Sequence, residues 1–236
     1  MKTTRKVWAS LLTLCVACLV HAADMKPIPR VISILDVETD DPSGYAIWIS
    51  QYNDIAKAKF GVERFVRVFE SVNDGRKTSS VRAVAAASSV AELTKNSAAL
   101  EADPGIMQLR AHMAGMRKSG ARVLYQAMRY DGPIKGSANY NTLAVVNDEP
   151  GYLKAIDQLR TIFDANGLKD AKIAVYRVIA GRTDHTHRIT ISAPSPDRLA
   201  VFLDLIATNA QLAEWLANSA KLRTVVSNST SREITK

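Results

Sequence analysis

The strongest constraint on this chain is that it repeats itself. Residues 61–89 align with residues 167–195 without a gap, at a shift of 106 positions, and seven of the 29 pairs are identical. The identities are Gly61/Gly167, Val72/Val178, Gly75/Gly181, Arg76/Arg182, Arg82/Arg188, Ala87/Ala193 and Ser89/Ser195. Upstream, with the shift changed by one, Gly44-Tyr45 falls on Gly151-Tyr152, while Ile49, Gln51 and Ile55 fall on Ile156, Gln158 and Ile162. A self-similarity of this span reads as two copies of one structural unit. Residues 131–140, with two Gly, one Pro, one Ser and one Asn before Tyr140, lack any periodic apolar pattern and read as the linker. The domain reading is therefore a unit over 28–130, a linker over 131–140 and a second unit over 141–234.

Each copy gives the same order of elements. In the first, 31–37 is a short apolar strand. Asp40-Asp41-Pro42-Ser43-Gly44 starts a helix carrying Tyr45, Trp48, Ile49, Tyr52 and Ile55, which Gly61 stops. Residues 65–72 and 81–87 form strands around the turn Asn73-Asp74-Gly75. Helices over 88–100 and 104–116 and a strand over 122–130 complete the unit. The second copy repeats this with strands at 142–146, 171–178, 187–193 and 223–228. Its first helix runs from Asp148 to Gly167, its second is capped by Ser195, and a short third one holds Leu212, Trp215 and Leu216. The β-α-β-β-α-β order predicts an α+β fold of two tandem ferredoxin-like repeats. A ferredoxin-like sheet has helices on one face only, so its other face needs cover, and a second copy on the same chain supplies it.

This order resembles the dimeric α/β-barrel superfamily. That superfamily includes antibiotic-biosynthesis-type monooxygenases, stress-responsive barrel proteins and chlorite-dismutase-like haem proteins. The resemblance covers nearly the whole chain after its N-terminal segment and implies a pseudo-dimeric α/β barrel, with the two sheets packed on one another. It implies no particular catalytic residue, because one fold hosts many functions. Three functional readings follow from it: a module binding a small apolar or amphipathic ligand in the barrel, a cofactor-independent monooxygenase-type enzyme, and a haem protein. The leading one is the binding module, with no cofactor. A tethered second half is present at an effective concentration of order millimolar, so a monomer is structurally sufficient.

The N-terminus reads as a targeting segment. Lys2, Arg5 and Lys6 precede an uncharged apolar run over 7–20, and Val20-His21-Ala22 offers a cleavage site. The expectation is a signal peptide over 1–23 and a periplasmic or secreted mature chain with no transmembrane segment. Cys18 allows an alternative lipoprotein reading. Both cysteines, Cys15 and Cys18, lie in this segment, so no disulfide or thiolate chemistry is expected beyond it. Without the three leading cations the chain keeps 28 basic against 23 acidic residues. These are scattered and aromatics are sparse, which argues against a nucleic-acid partner.

Few residues carry chemistry. His185 and His187, two apart at a strand start, are expected to share one face and can hold a metal with Asp184; the alternative is a surface position beside a hairpin. A haem would need an axial histidine, and His112, His185 and His187 are the residues to consider. Arg82 and Arg188 recur at one strand position, either as a buried pair for an anionic ligand or as cations snorkelling at a sheet rim. Trp48, Tyr52 and Tyr152 lie on the helical stripe that packs on the sheet and read as core. Tyr176 lies on the opposite strand face and is the best single pocket residue if that face lines a barrel.

Overall fold

A computed structural model of the chain describes residues 30–61, 65–73, 80–132, 137–181 and 184–234. The expected signal segment, the tip of the first hairpin with Gly75 and Arg76, most of the linker, and Arg182 lie outside the described residues. The first half runs β1 (Val31–Glu38), α1 (Pro42–Phe60), β2 (Val66–Asn73), β3 (Ser80–Ala87), α2 (Val90–Glu101), α3 (Pro104–Met113) and β4 (Lys118–Tyr130). The second runs β5 (Ala138–Val146), α4 (Glu149–Ala165), β6 (Lys172–Ala180), β7 (His187–Ala193), α5 (Pro196–Thr208), α6 (Ala210–Ser219) and β8 (Arg223–Glu233).

Several of the repeated residues have a visible local task. Asp41 and Asp148 cap α1 and α4 by accepting from the backbone N–H of Gly44 (2.8 Å) and Gly151 (3.0 Å). A Cβ at either glycine would collide with the capping carboxylate, which accounts for both being glycine. Ser89 and Ser195 cap α2 and α5 by accepting from Glu92 and Arg198 N–H. Gly61 ends α1 at φ 66°, in the left-handed region that a side chain disfavours.

The strands close into one antiparallel barrel in the order β1-β3-β2-β8-β5-β7-β6-β4. The two sheets therefore do more than pack face to face. Their edges pair, β2 with β8 and β4 with β6. Edge pairing uses up backbone groups that an open sheet would leave unbonded. Arg67 and Arg232 lock one seam, reaching Glu233 at 2.6 Å and Glu70 at 2.8 Å. The strands are also longer than the apolar pattern indicates. β5 starts at Ala138, inside the expected linker, because Asn139 and Asn141 find partners within the barrel.

The six helices of the described residues lie outside the barrel. Two apolar clusters lie between helices and sheet, one per half, around Tyr45 and Leu100 and around Tyr152 and Phe163. A third cluster, with Ile32, Ile34, Tyr125 and Tyr176, fills the barrel interior. Among the described residues, no single helix is long and apolar enough to cross a membrane.

Candidate functional site

Strand alternation aims Arg82, Arg188 and Tyr176 into the barrel, so three residues singled out from the sequence do share one interior. The interior is two-sided. Strands β1, β4 and β6 contribute the apolar cluster, while β5, β7 and β8 contribute Asn141, Thr190, Ser229 and Ser231. Arg188 donates to Asn141 Oδ1 at 2.7 Å, and Arg82 lies 3.4 Å from Asp36 and from Ser229. Both arginines are 8% exposed, so neither snorkels at the rim; polar partners inside the barrel make their burial tolerable. The free space beside them is small, about 160 Å³, bounded by Arg82, Arg188, Tyr125, His185 and Asp36. Tyr176 does not border it. Its ring packs between Tyr125 and Tyr130, at 6.4 and 6.5 Å, and plugs the barrel.

The histidines part company. His185 precedes β7, where strand alternation does not yet apply, and turns inward. Its Nε2 meets the Tyr125 hydroxyl at 3.0 Å and its Nδ1 meets Asp184 at 2.7 Å. His187 is the first residue of β7 and turns outward, its Nε2 bonded to Glu149 at 2.9 Å. The two rings thus do not converge on a shared ion. Among the described residues, no three His, Cys, Asp or Glu side chains gather to hold a metal. Burial lowers the affinity of His187 for a proton, with the Glu149 bond opposing and Arg177 and His185 reinforcing. Burial likewise holds the Tyr125 phenol above its ordinary range, partly offset by Arg188.

The larger space lies outside the barrel, in the first half only. A cleft of about 670 Å³ opens between α1, α2 and the outer face of β1, β3 and β4. Tyr45, Trp48 and Tyr52 of α1, with Phe65, form an aromatic wall. Ser33, Ala83 and Ala85 form the floor, and Ser97 lies on the α2 side. Arg117, Arg122, Arg110 and Glu101 are its charged groups.

The second half explains the gap. Structurally matched positions there carry Tyr140 for Ser33, Ile189 for Ala83, Ile191 for Ala85 and Leu203 for Ser97. Bulk runs the other way on the helix side, where Trp48 and Phe65 face the counterparts Ala155 and Ala171. So one layer packs solid while the other sets an aromatic wall above a floor of small residues. The arginines differ as well. Arg223, the counterpart of Arg117, is buried and donates to the Tyr152 hydroxyl at 2.6 Å. Arg117 bonds the matching Tyr45 hydroxyl but is only partly buried, and it stacks over Trp48, its guanidinium carbon 4.9 Å from the ring centroid. Trp215 Nε1 donates to Ala155 O at 2.6 Å, whereas the buried Trp48 Nε1 has no partner among the described residues. Trp48 and Tyr52 are therefore cleft wall as well as core. The small residues opposite them were readable in the aligned copies as a size difference.

No family model matches the chain, and no curated protein matches it. Solved structures do. A putative monooxygenase from Fusobacterium nucleatum is 8% identical, with 88% of this chain and 93% of that one covered at a TM-score of 0.56. A putative monooxygenase from Lactobacillus acidophilus is 10% identical, covering 86% and 93% at 0.55. A putative chlorite dismutase is 9% identical, covering 88% and 96% at 0.54. Haem, the cofactor of the chlorite-dismutase branch, does not fit the described histidines. Both rings of His185 and His187 are bonded at each nitrogen, and His112 is exposed on α3, away from the cleft. At these identities the likeness establishes the architecture alone: the chain has the ferredoxin-like α/β-barrel fold.

Proposed function

We propose that this protein is a small-molecule-binding α/β barrel that holds an amphipathic ligand in the cleft beneath α1 and α2. The expected location inside the barrel is set aside, because about 160 Å³ is too small for such a molecule, whereas about 670 Å³ lies within the usual range for ligand sites. The observation that carries the reading is the asymmetry of the halves: the layer that is filled in one is open and aromatic in the other. In this reading the halves are tandem ferredoxin-like repeats, the mature chain is periplasmic or secreted, and a monomer suffices. The uncharged dye Nile red tests the site. It should bind at one molecule per chain, with fluorescence enhanced by the apolar wall. Replacing Ala83 and Ala85 by Ile, as in the second half, should abolish binding; unchanged binding by this variant sinks the proposal.

A second reading is oxygenation of a phenolic molecule held in the same cleft. The names of the neighbours and the Tyr- and Trp-lined wall favour it. Dioxygen uptake in the presence of phenols, absent in the Ala83→Ile/Ala85→Ile variant, is the result that would establish it.

A further inference from the structure

The charged groups at the cleft narrow the chemistry of its ligand. Four ionisable side chains other than tyrosines border it: Glu101 of α2, Arg110 of α3, Arg117 just before β4 and Arg122 within it. Arg110 and Glu101 are 3.3 Å apart and neutralise each other. Among the described residues, neither Arg117 nor Arg122 has a carboxylate within ion-pairing distance. Two guanidinium groups with no carboxylate partner among the described residues thus stand just before and within β4, at one side of an otherwise apolar and aromatic space.

Arg122 is exposed at the mouth of the cleft, but Arg117 is not an ordinary solvated side chain. Arg117 is only partly exposed and lies over both Trp48 and Tyr45, at 4.9 and 6.0 Å from the ring centroids. Stacking fixes the guanidinium plane, and the Tyr45 hydroxyl uses only part of its five N–H donors. The counterpart in the second half has the same kind of partners but a different exposure: Arg223, bonded to the Tyr152 hydroxyl and lying over two rings, is buried, whereas Arg117, with the Tyr45 hydroxyl and two rings of its own, borders the open cleft. Arg122 adds a second cation close enough to act on the phenols of Tyr45 and Tyr52. The Tyr45 phenol is pushed up by burial, with Arg117 and then Arg122 opposing that rise, so both arginines already project positive potential into the site.

We infer that the ligand is an amphipathic anion, with a flat or aliphatic body against the Ala83 and Ala85 floor and the aromatic wall, and a carboxylate-type headgroup between Arg117 and Arg122. The inference rests on the cleft being the ligand site, as proposed above. A planar guanidinium matches a carboxylate bidentately. A neutral headgroup would leave both cations without that gain, and a cationic one would be repelled by them.

The test separates the two layers of the argument. The full chain is loaded with Nile red, and displacement is measured with 2-naphthoate and with its neutral analogue 2-naphthalenemethanol. The expected result is displacement by both, with naphthoate about ten- to hundredfold tighter, the range for hydrogen bonds to a charged group. Raising salt should erode the naphthoate advantage and leave the alcohol unaffected. Arg117→Gln and Arg122→Gln should each cut naphthoate affinity about tenfold or more while leaving the alcohol and Nile red within about twofold. Equal affinities for acid and alcohol overturn the anion inference but leave the cleft in place. Displacement by neither overturns the cleft reading, and the anion inference with it. If Arg117→Gln also loses Nile red, Arg117 is a structural support of Trp48, and Arg122→Gln then decides: acid and alcohol weakened alike overturns the headgroup assignment.

Discussion

Filling the cleft should stabilise the protein while it removes binding. Ile has three more carbons than Ala. At about 0.8 kcal/mol per buried methylene, each Ala→Ile substitution can gain about 2.4 kcal/mol. Lost rotamer freedom returns about 0.5–1 kcal/mol of that. Ala83 is 8% exposed, whereas Ala85 is only half-buried beside an open cleft, so roughly half of the ideal sum is realistic. The expectation for Ala83→Ile/Ala85→Ile is a net gain of about 1.5–2 kcal/mol, helped by the strand preference of Ile. For a chain of this size that corresponds to a rise in melting temperature of about 3–8 °C. The comparison is made by urea and thermal unfolding of both proteins. Two-state behaviour is checked by coincident far-ultraviolet dichroism and tryptophan fluorescence. A loss of more than about 1 kcal/mol would mean that the space is already committed to packing, which refutes the account of an open layer.

Other outcomes follow from single contacts. Tyr152→Phe removes the acceptor of the buried Arg223 and should cost about 1–3 kcal/mol in urea unfolding; a cost below about 0.5 kcal/mol means the guanidinium is satisfied without it. His187 holds its proton more weakly folded than unfolded, so its contribution to stability is present above its ordinary pKa of 6.5 and is lost as pH falls from there through the folded value. His187→Gln should flatten the decline in stability between about pH 7 and pH 5, and a variant with the full wild-type slope assigns that slope elsewhere. Tyr176, raised by burial between two tyrosines, should stay protonated in ultraviolet difference titration until the fold itself opens. Residues 30–132 expressed alone would expose the β2 and β4 edges, and should associate with one another or with residues 137–234; a stable isolated monomer contradicts the closure seen here.

What could be read from sequence divides along physical lines. Local rules gave the helix starts, because Asp41, Asp148, Ser89 and Ser195 each act within three residues of themselves. Alternation also put Tyr176 on the strand face that lines the barrel, but it left Arg82 and Arg188 open between burial and the rim, which only their polar partners inside the barrel decide. Alternation failed at His185, which lies just before β7 begins, and so the two histidines were wrongly set on one face. Strand lengths were underestimated where the interior is polar, since Asn139, Asn141 and Ser231 look like linker or tail until their partners across the barrel are known. Space is harder still to read. Ala83 and Ala85 looked like weak strand formers when read along the chain. Only against Ile189 and Ile191, at the aligned positions of the second half, do they become the floor of a cleft. Arg117 and Arg122 carried no motif at all, and their meaning depends on the rings and empty volume beside them.

The asymmetry itself bears on where function should be sought. In a barrel made from two copies of one chain, a twofold axis repeats every cavity and sets each interior residue against its own copy. Closing the barrel within one chain lifts that restriction. Arg82 is then free to face Asp36 and Ser229 while its counterpart Arg188 faces Asn141 and Thr190. Trp48 Nε1 has no partner among the described residues, while Trp215 is satisfied by Ala155. Features common to both halves, such as the capping residues and the α1 and α4 entry glycines, are those that any such unit needs in order to fold. Features found in one half only are free of that requirement. They are also costly to keep without use, since filling the cleft offers stability at no apparent loss to the barrel. An open layer, a stacked Arg117 and an indole N–H with no partner among the described residues, all on the same face of the same half, are therefore what the proposed ligand site would account for. Substitutions there should change binding far more than stability, and substitutions at the shared caps should do the reverse.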